Sequence, residues 1–184
     1  LEAYRIRGVA QIESFIGWLN DSAHSFEILV DPDDGTPWVE VPFDIDLDGI
    51  RVVGFIDRVE VNGEPVDIKS GDMKNNKDLQ LGVYKVALEE QFGITATSGR
   101  FFMTKKGVLG YSKEVDLTRY TKEYVTDLFQ AAERGIANEV FLPSPQDFCG
   151  ICDVREFCRE KGTSPIPLDW ASVKEPWWVN IDEG

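Results

Sequence analysis

Apolar and polar positions alternate most regularly between residues 38 and 71. Val39, Val41, Phe43, Ile45 and Leu47 fall on one side of an extended segment, and Glu40, Asp44 and Asp46 on the other. A period of two predicts a half-buried strand. Asp48-Gly49 predicts a two-residue hairpin turn, and residues 51–71 then read as two strands joined at Asn62-Gly63. Upstream, Ile6, Val9, Ile12, Phe15, Ile16 and Leu19 recur at helical spacing over residues 4–20. Residues 26–30 are a candidate short strand and 31–37 a loop. Downstream, Asn76 is placed to cap a helix that runs to about residue 92 and stops at Gly93, with Leu79, Val83, Val86 and Ala87 as its buried stripe. Residues 100–104 and 108–115 predict a hairpin through Lys105-Lys106-Gly107. Residues 118 to about 138 predict a last helix that buries Tyr124, Val125, Leu128, Phe129 and Ala132. This order is mixed α/β, a central mixed sheet flanked by helices. It is read as a core over 1–142 followed by a segment over 143–184, whose cysteines, prolines and tryptophans (Trp170, Trp177, Trp178) pack on that core.

Inside the apolar ribbon stand Asp57, Asp67 and Lys69. A half-buried carboxylate is costly unless it is paired or bound to a metal, so two of them beside a lysine suggest a divalent cation site. The turn decides whether they meet. A strict two-residue Asn-Gly loop pairs Val61 with Glu64 and sets Asp57 opposite Ile68. A three-residue loop with Gly63 left-handed pairs Glu60 with Glu64 and sets Asp57 opposite Asp67. The bulged register is the expected one, with a cation between the gathered carboxylates. If the Asp48-Gly49 turn is tight, Glu40 falls opposite Asp57 as a third carboxylate. Gln80 and Tyr84, one turn apart, share a helix face.

The 184 residues suffice for one domain with a small appendage. A net charge of −14 argues against passive coating of a polyanion, although an acidic exterior can coexist with a local basic groove. No apolar run approaches membrane-spanning length, which predicts no membrane association, and no secretory leader is visible. The first residue is leucine, so the chain is expected to be a fragment or a processed form. Cys149, Cys152 and Cys158 are spaced C-x2-C-x5-C, the pattern of ligands for a metal or an iron–sulfur cluster with one ligand missing.

Gly54-Phe-Ile-Asp57, Asp67-Ile-Lys69 and Gln80-Leu-Gly-Val-Tyr84 together resemble the PD-(D/E)XK nuclease superfamily. The resemblance is to its RecB-like exonuclease branch, which includes the RecB and AddAB nuclease domains and the CRISPR-associated iron–sulfur exonucleases. It implies a restriction-endonuclease-like core and a metal-dependent DNA nuclease, expected to be an exonuclease, in recombination, repair or phage DNA processing. The implied setting is the cytoplasm of a bacterium or phage-infected host, and the implied partners are DNA and a helicase or recombination protein. Asp57, Asp67 and the Ile68 carbonyl would hold Mg²⁺ or Mn²⁺, hard ions suited to oxygen ligands. Lys69 would orient the attacking water, and Gln80 and Tyr84 would contact the DNA backbone or steady Lys69. Where the family usually has histidine in the first helix this chain has Gln11, so Gln11 and Glu40 are further candidate ligands. The three cysteines match the downstream ligands of a 4Fe-4S cluster, whose upstream cysteine is absent from this chain. The other reading is an inactive domain of the same fold that binds DNA or a helicase.

Overall fold

A computed structural model describes residues 2–21, 23–24, 26–70, 78–105, 107–138, 140, 149, 152 and 155. The predicted hairpin is its longest feature: β1 (Val39–Leu47) and β2 (Ile50–Val59) pair antiparallel, with Leu47 opposite Ile50 across the Asp48-Gly49 turn. Val41, Phe43, Ile45 and Leu47 are buried, as alternation requires, but Val39 is exposed. The neighbouring Glu40 takes a left-handed φ of 52°, which breaks the alternation at that step.

β3 (Pro65–Lys69) pairs antiparallel with β2 and parallel with β4 (Ser98–Met103). A parallel neighbour needs a long crossover, and α2 (Leu79–Phe92) supplies it. The short strands β5 (Gly110–Tyr111) and β6 (Val115–Asp116) both pair antiparallel with β4, at its two ends. The sheet order is β1-β2-β3-β4-β5, with β6 off that path. The expected hairpin after β4 is therefore present, its second arm reduced to two brief pairings. Residues 26–30 likewise form only isolated bridges, Ile28 to Glu60 and Val30 to Pro37.

The helices depart from the predicted stripes. In α1 (Glu2–Leu19) the aliphatic positions Ile6, Val9, Ile12, Ile16 and Leu19 are exposed. Phe15 and Trp18 instead pack edge-on against Phe102, at 5.8 and 5.0 Å, the T-shaped arrangement that aromatic pairs favour. α2 follows Asp78 and ends at Gly93 in the left-handed conformation (φ 67°); the cap expected at Asn76 lies outside the described residues. It buries Leu81, Tyr84, Val86, Ala87 and Leu88, while Leu79 is exposed. α3 (Lys122–Ala137) starts four residues later than predicted, because residues 118–120 turn back on Asp116 and Leu117. Val125 is buried, whereas Tyr124 and Ala132 are exposed. Among the described residues no helix is long and apolar enough to cross a membrane.

By internal contacts the chain divides into two compact units, Leu1–Arg134 and Gly135–Gly184. The first holds the sheet and its core. Gly82 shows how closely α2 is seated there: a Cβ at this position would lie 2.3 Å from the ring of Tyr120, itself 3% exposed. Gly82→Val is therefore expected to destabilise the fold by about 3 kcal/mol through overpacking. Urea unfolding measures this, and an unchanged midpoint would show that the ring moves aside freely.

Candidate active site

The Asn62-Gly63 connection fixes the geometry. Gly63 is left-handed (φ 81°), its N–H donates to the Glu60 carbonyl at 2.8 Å, and the Glu60 N–H donates to the Glu64 carbonyl at 3.0 Å. This is the bulged register. Val59 pairs with Pro65 and Arg58 with Val66, so the same count sets Asp57 opposite Asp67. Gly54 is required by packing: it faces Phe43 across the hairpin, and a Cβ there would lie 2.7 Å from the phenyl ring.

Beyond Arg58 the two strands are joined by a side chain. The Ile68 N–H donates to Asp57 Oδ2 at 2.7 Å. Lys69 turns its carbonyl toward β4, where the Thr104 N–H donates to it at 2.9 Å. Adjacent residues of a strand point their backbone groups to opposite edges, so the Ile68 carbonyl lies on the Asp57 edge with its own N–H. Sequence reasoning found the two aspartates but not this backbone donor. The signal for it is Asp57 standing opposite Asp67 just where pairing stops.

Asp57, Asp67, Lys69, Gln80 and Tyr84 meet in one hydrogen-bonded circuit. Lys69 Nζ lies 2.8 Å from Asp67 Oδ2 and donates to Gln80 Oε1 at 2.8 Å. The Gln80 amide donates onward to the Tyr84 hydroxyl at 3.0 Å, and that hydroxyl donates to Asp57 Oδ1 at 3.3 Å. The single turn between Gln80 and Tyr84 on α2 thus spans the end of β3. Asp67 is 1% exposed, and its Oδ2 is ion-paired with the Lys69 ammonium. Burial raises the Asp67 carboxyl above its ordinary value, Lys69 partly offsets this, and the charge of Asp57 adds to it. Burial, then Asp57, also raises the Tyr84 phenol, which stays a donor at any working pH.

The remaining candidates divide. Gln11 reaches this end of β3, donating from Nε2 to the Ser70 carbonyl at 3.1 Å. Glu40 occupies the step between the Val39–Arg58 and Val41–Ile56 pairs, but it is exposed on its left-handed turn of chain and joins none of these bonds. Among the described residues no three carboxylate, histidine or cysteine side chains gather at one point, so the site offers two carboxylates. Cys149 is half-buried and Cys152 exposed, neither in a disulfide, and Cys158 lies outside the described residues.

The donor set fits a hard divalent ion. Such ions are often held by one or two carboxylates, the rest of the shell being water and substrate oxygen. Asp57 adds its charge to that of buried Asp67, so one lysine leaves an excess of negative charge that a cation would satisfy.

The sequence pattern of the PD-(D/E)XK nuclease superfamily matches residues 10–159. The chain belongs to the PD-(D/E)XK nuclease superfamily. It is 42% identical over 158 residues to the "Gene 69 protein" of Mycobacterium phage D29, covering 82% of this chain and 57% of that one. To the "Gene 69 protein" of Mycobacterium phage L5 it is 38% identical over 176 residues, covering 82% and 60%. The chain therefore spans less than two thirds of the length of these relatives. A solved structure titled "Crystal structure of SSO0001" aligns with a TM-score of 0.47 and 14% identity, over 88% of this chain and 72% of that one. In this PD-(D/E)XK domain Asp57, Asp67, Lys69, Gln80 and Tyr84 meet around β3.

Proposed function

We propose that this PD-(D/E)XK domain is a divalent-metal-dependent DNA nuclease of the RecB-like branch, acting as an exonuclease in recombination, repair or phage DNA processing. The observation that carries the reading is the circuit Asp67–Lys69–Gln80–Tyr84–Asp57, closed on the Ile68 N–H, in which one lysine stands against two carboxylates, one of them buried. Asp57, Asp67 and the Ile68 carbonyl would hold Mg²⁺ or Mn²⁺, which when bound lowers the pKa of a water and stabilises charge on the scissile phosphate. Lys69 would offer its remaining protons to that water and the phosphate. Gln80 fixes Lys69, since its Oε1 accepts from the ammonium while its amide is held by Tyr84. Tyr84 in turn fixes one oxygen of Asp57.

One observation favours a second reading, a domain that binds DNA or a helicase without cutting. Where the resemblance leads one to expect an imidazole ligand, Gln11 has an amide tied to the Ser70 carbonyl. Incubating end-labelled single- and double-stranded DNA with Mg²⁺, Mn²⁺ or EDTA separates the two. Cleavage with metal, none with EDTA, and none by Asp57→Ala is the expected result; terminal release of label marks an exonuclease. DNA binding without cleavage under every metal would establish the second reading.

A further inference from the structure

We propose that two ion pairs, the buried Arg58–Glu60 and the half-buried Glu64–Arg100, set the strand register on which the metal site depends, which makes Arg58, Arg100 and Tyr111 positioning residues. The proposal rests on the reading of Asp57 and Asp67 as metal ligands.

The backbone alone specifies this register poorly. β2 and β3 share two paired positions, and one partner is Pro65, which has no N–H to give. A slip of one residue would turn every side chain of one strand to the other face and set Asp57 opposite Ile68. Something besides the ladder must hold the bulged pairing.

Side chains do so, in the row next to the carboxylates. Arg58, Val66 and Arg100 are register neighbours across β2, β3 and β4, and the adjoining row contains Asp67 and Phe101. At the turn, Glu60 and Glu64 oppose each other, and both are 4% exposed. Like charges directly opposed drive strands apart, the more so when buried. Each is neutralised separately. Arg58 lies 2.9 Å from Glu60 Oε1, and the Tyr111 hydroxyl donates to the same oxygen at 2.6 Å. Arg100 grips Glu64 Oε2 with two nitrogens, Nε at 2.8 Å, and the Ser98 hydroxyl donates to Oε1 at 3.3 Å.

Both cations are also seated on rings, Arg58 on Phe26 at 3.9 Å and Arg100 on Tyr111 at 4.7 Å. Tyr111 is thus shared between the two pairs, and it sits in β5, which pairs with β4. A slipped β2 would pull Arg58 and Glu60 off Tyr111 while leaving Glu64 on Arg100. The bulged register keeps Arg58 and Glu60 on Tyr111, and with them Asp57 faces Asp67.

The test uses amide hydrogen exchange and Mn²⁺ binding followed by electron paramagnetic resonance. The Ile68 amide, bonded to Asp57, reports the β2–β3 register, and the Thr104 amide, bonded to Lys69, is the β3–β4 control. Arg100→Gln leaves Glu64 buried and unpaired. It is expected to speed exchange at Ile68 but not at Thr104, and to weaken Mn²⁺ binding about tenfold. Glu64→Gln added to Arg100→Gln removes the charge and is expected to restore both readouts to within about threefold of wild type. If Arg100→Gln does not fold, Tyr111→Phe, which removes one bond to Glu60, is expected to move both readouts the same way. Unchanged Ile68 exchange, joint opening of Ile68 and Thr104, or a double variant no better than the single would overturn the proposal. Should wild type bind no Mn²⁺, the metal reading falls, and the contrast between Ile68 and Thr104 decides the register claim alone.

Discussion

Lys69→Ala is expected to slow metal-dependent DNA cleavage by about 10²- to 10³-fold while the protein stays folded and still binds metal. The side chain is 30% exposed, so its loss leaves no cavity in the core. What it removes is a positive charge held between Asp67 Oδ2 and Gln80 Oε1, both at 2.8 Å. A charge so placed acts on the negative charge that develops in the transition state more than on bound DNA, so kcat should fall further than KM rises. Lys69→Arg should recover only part of the rate, since a planar fork cannot keep both contacts of a compact ammonium. Thermal unfolding and Mn²⁺ binding of the same variants serve as controls. A Lys69→Ala protein that cuts at the wild-type rate would reduce Lys69 to a partner that merely offsets buried Asp67.

The parts of the site that were legible in the sequence are those fixed by local chemistry. Asn62-Gly63 limits the turn to two geometries, and the expectation of a cation between the gathered carboxylates selects the bulged one. Gly93 stops α2 for want of a Cβ, and Asp48-Gly49 sets the first hairpin. The parts that were not legible depend on contacts distant in sequence. Glu40 stands at the expected step, but a left-handed φ that no local pattern signals takes it away from Asp57. The aliphatic stripe of α1 has correct helical spacing and yet faces outward, because Phe15 and Trp18 find Phe102 far along the chain. Arg58 and Glu60, two apart on one strand, marked a charged face that alternation alone would assign to solvent. Their burial depends on Phe26 and Tyr111, which only the fold brings near.

Asp67→Asn is expected to stabilise the metal-free protein at neutral pH by about 1–2 kcal/mol and to abolish its stabilisation by metal. Asp67 is 1% exposed, and burial, only partly offset by Lys69, raises its carboxyl above the ordinary 3.8. A carboxyl whose folded pKa lies above its unfolded value binds its proton more readily when folded, so the ionised form penalises the fold. That penalty is complete above the folded pKa and disappears as pH falls below the unfolded value. Asparagine keeps the shape without the charge, and the half-exposed Lys69 retains Gln80 and water. The gap in denaturation midpoint between wild type and variant, measured in EDTA, should therefore be largest near neutral pH and close toward pH 4. Metal reverses the order. At one hundred times its dissociation constant, Mg²⁺ or Mn²⁺ should add about 2.7 kcal/mol to wild type. The variant, with a neutral oxygen in place of a carboxylate, should gain almost nothing. If Asp67→Asn instead proves less stable than wild type in EDTA at neutral pH, the Asp67–Lys69 pair stabilises the fold outright. The buried carboxylate would then need no cation to account for it.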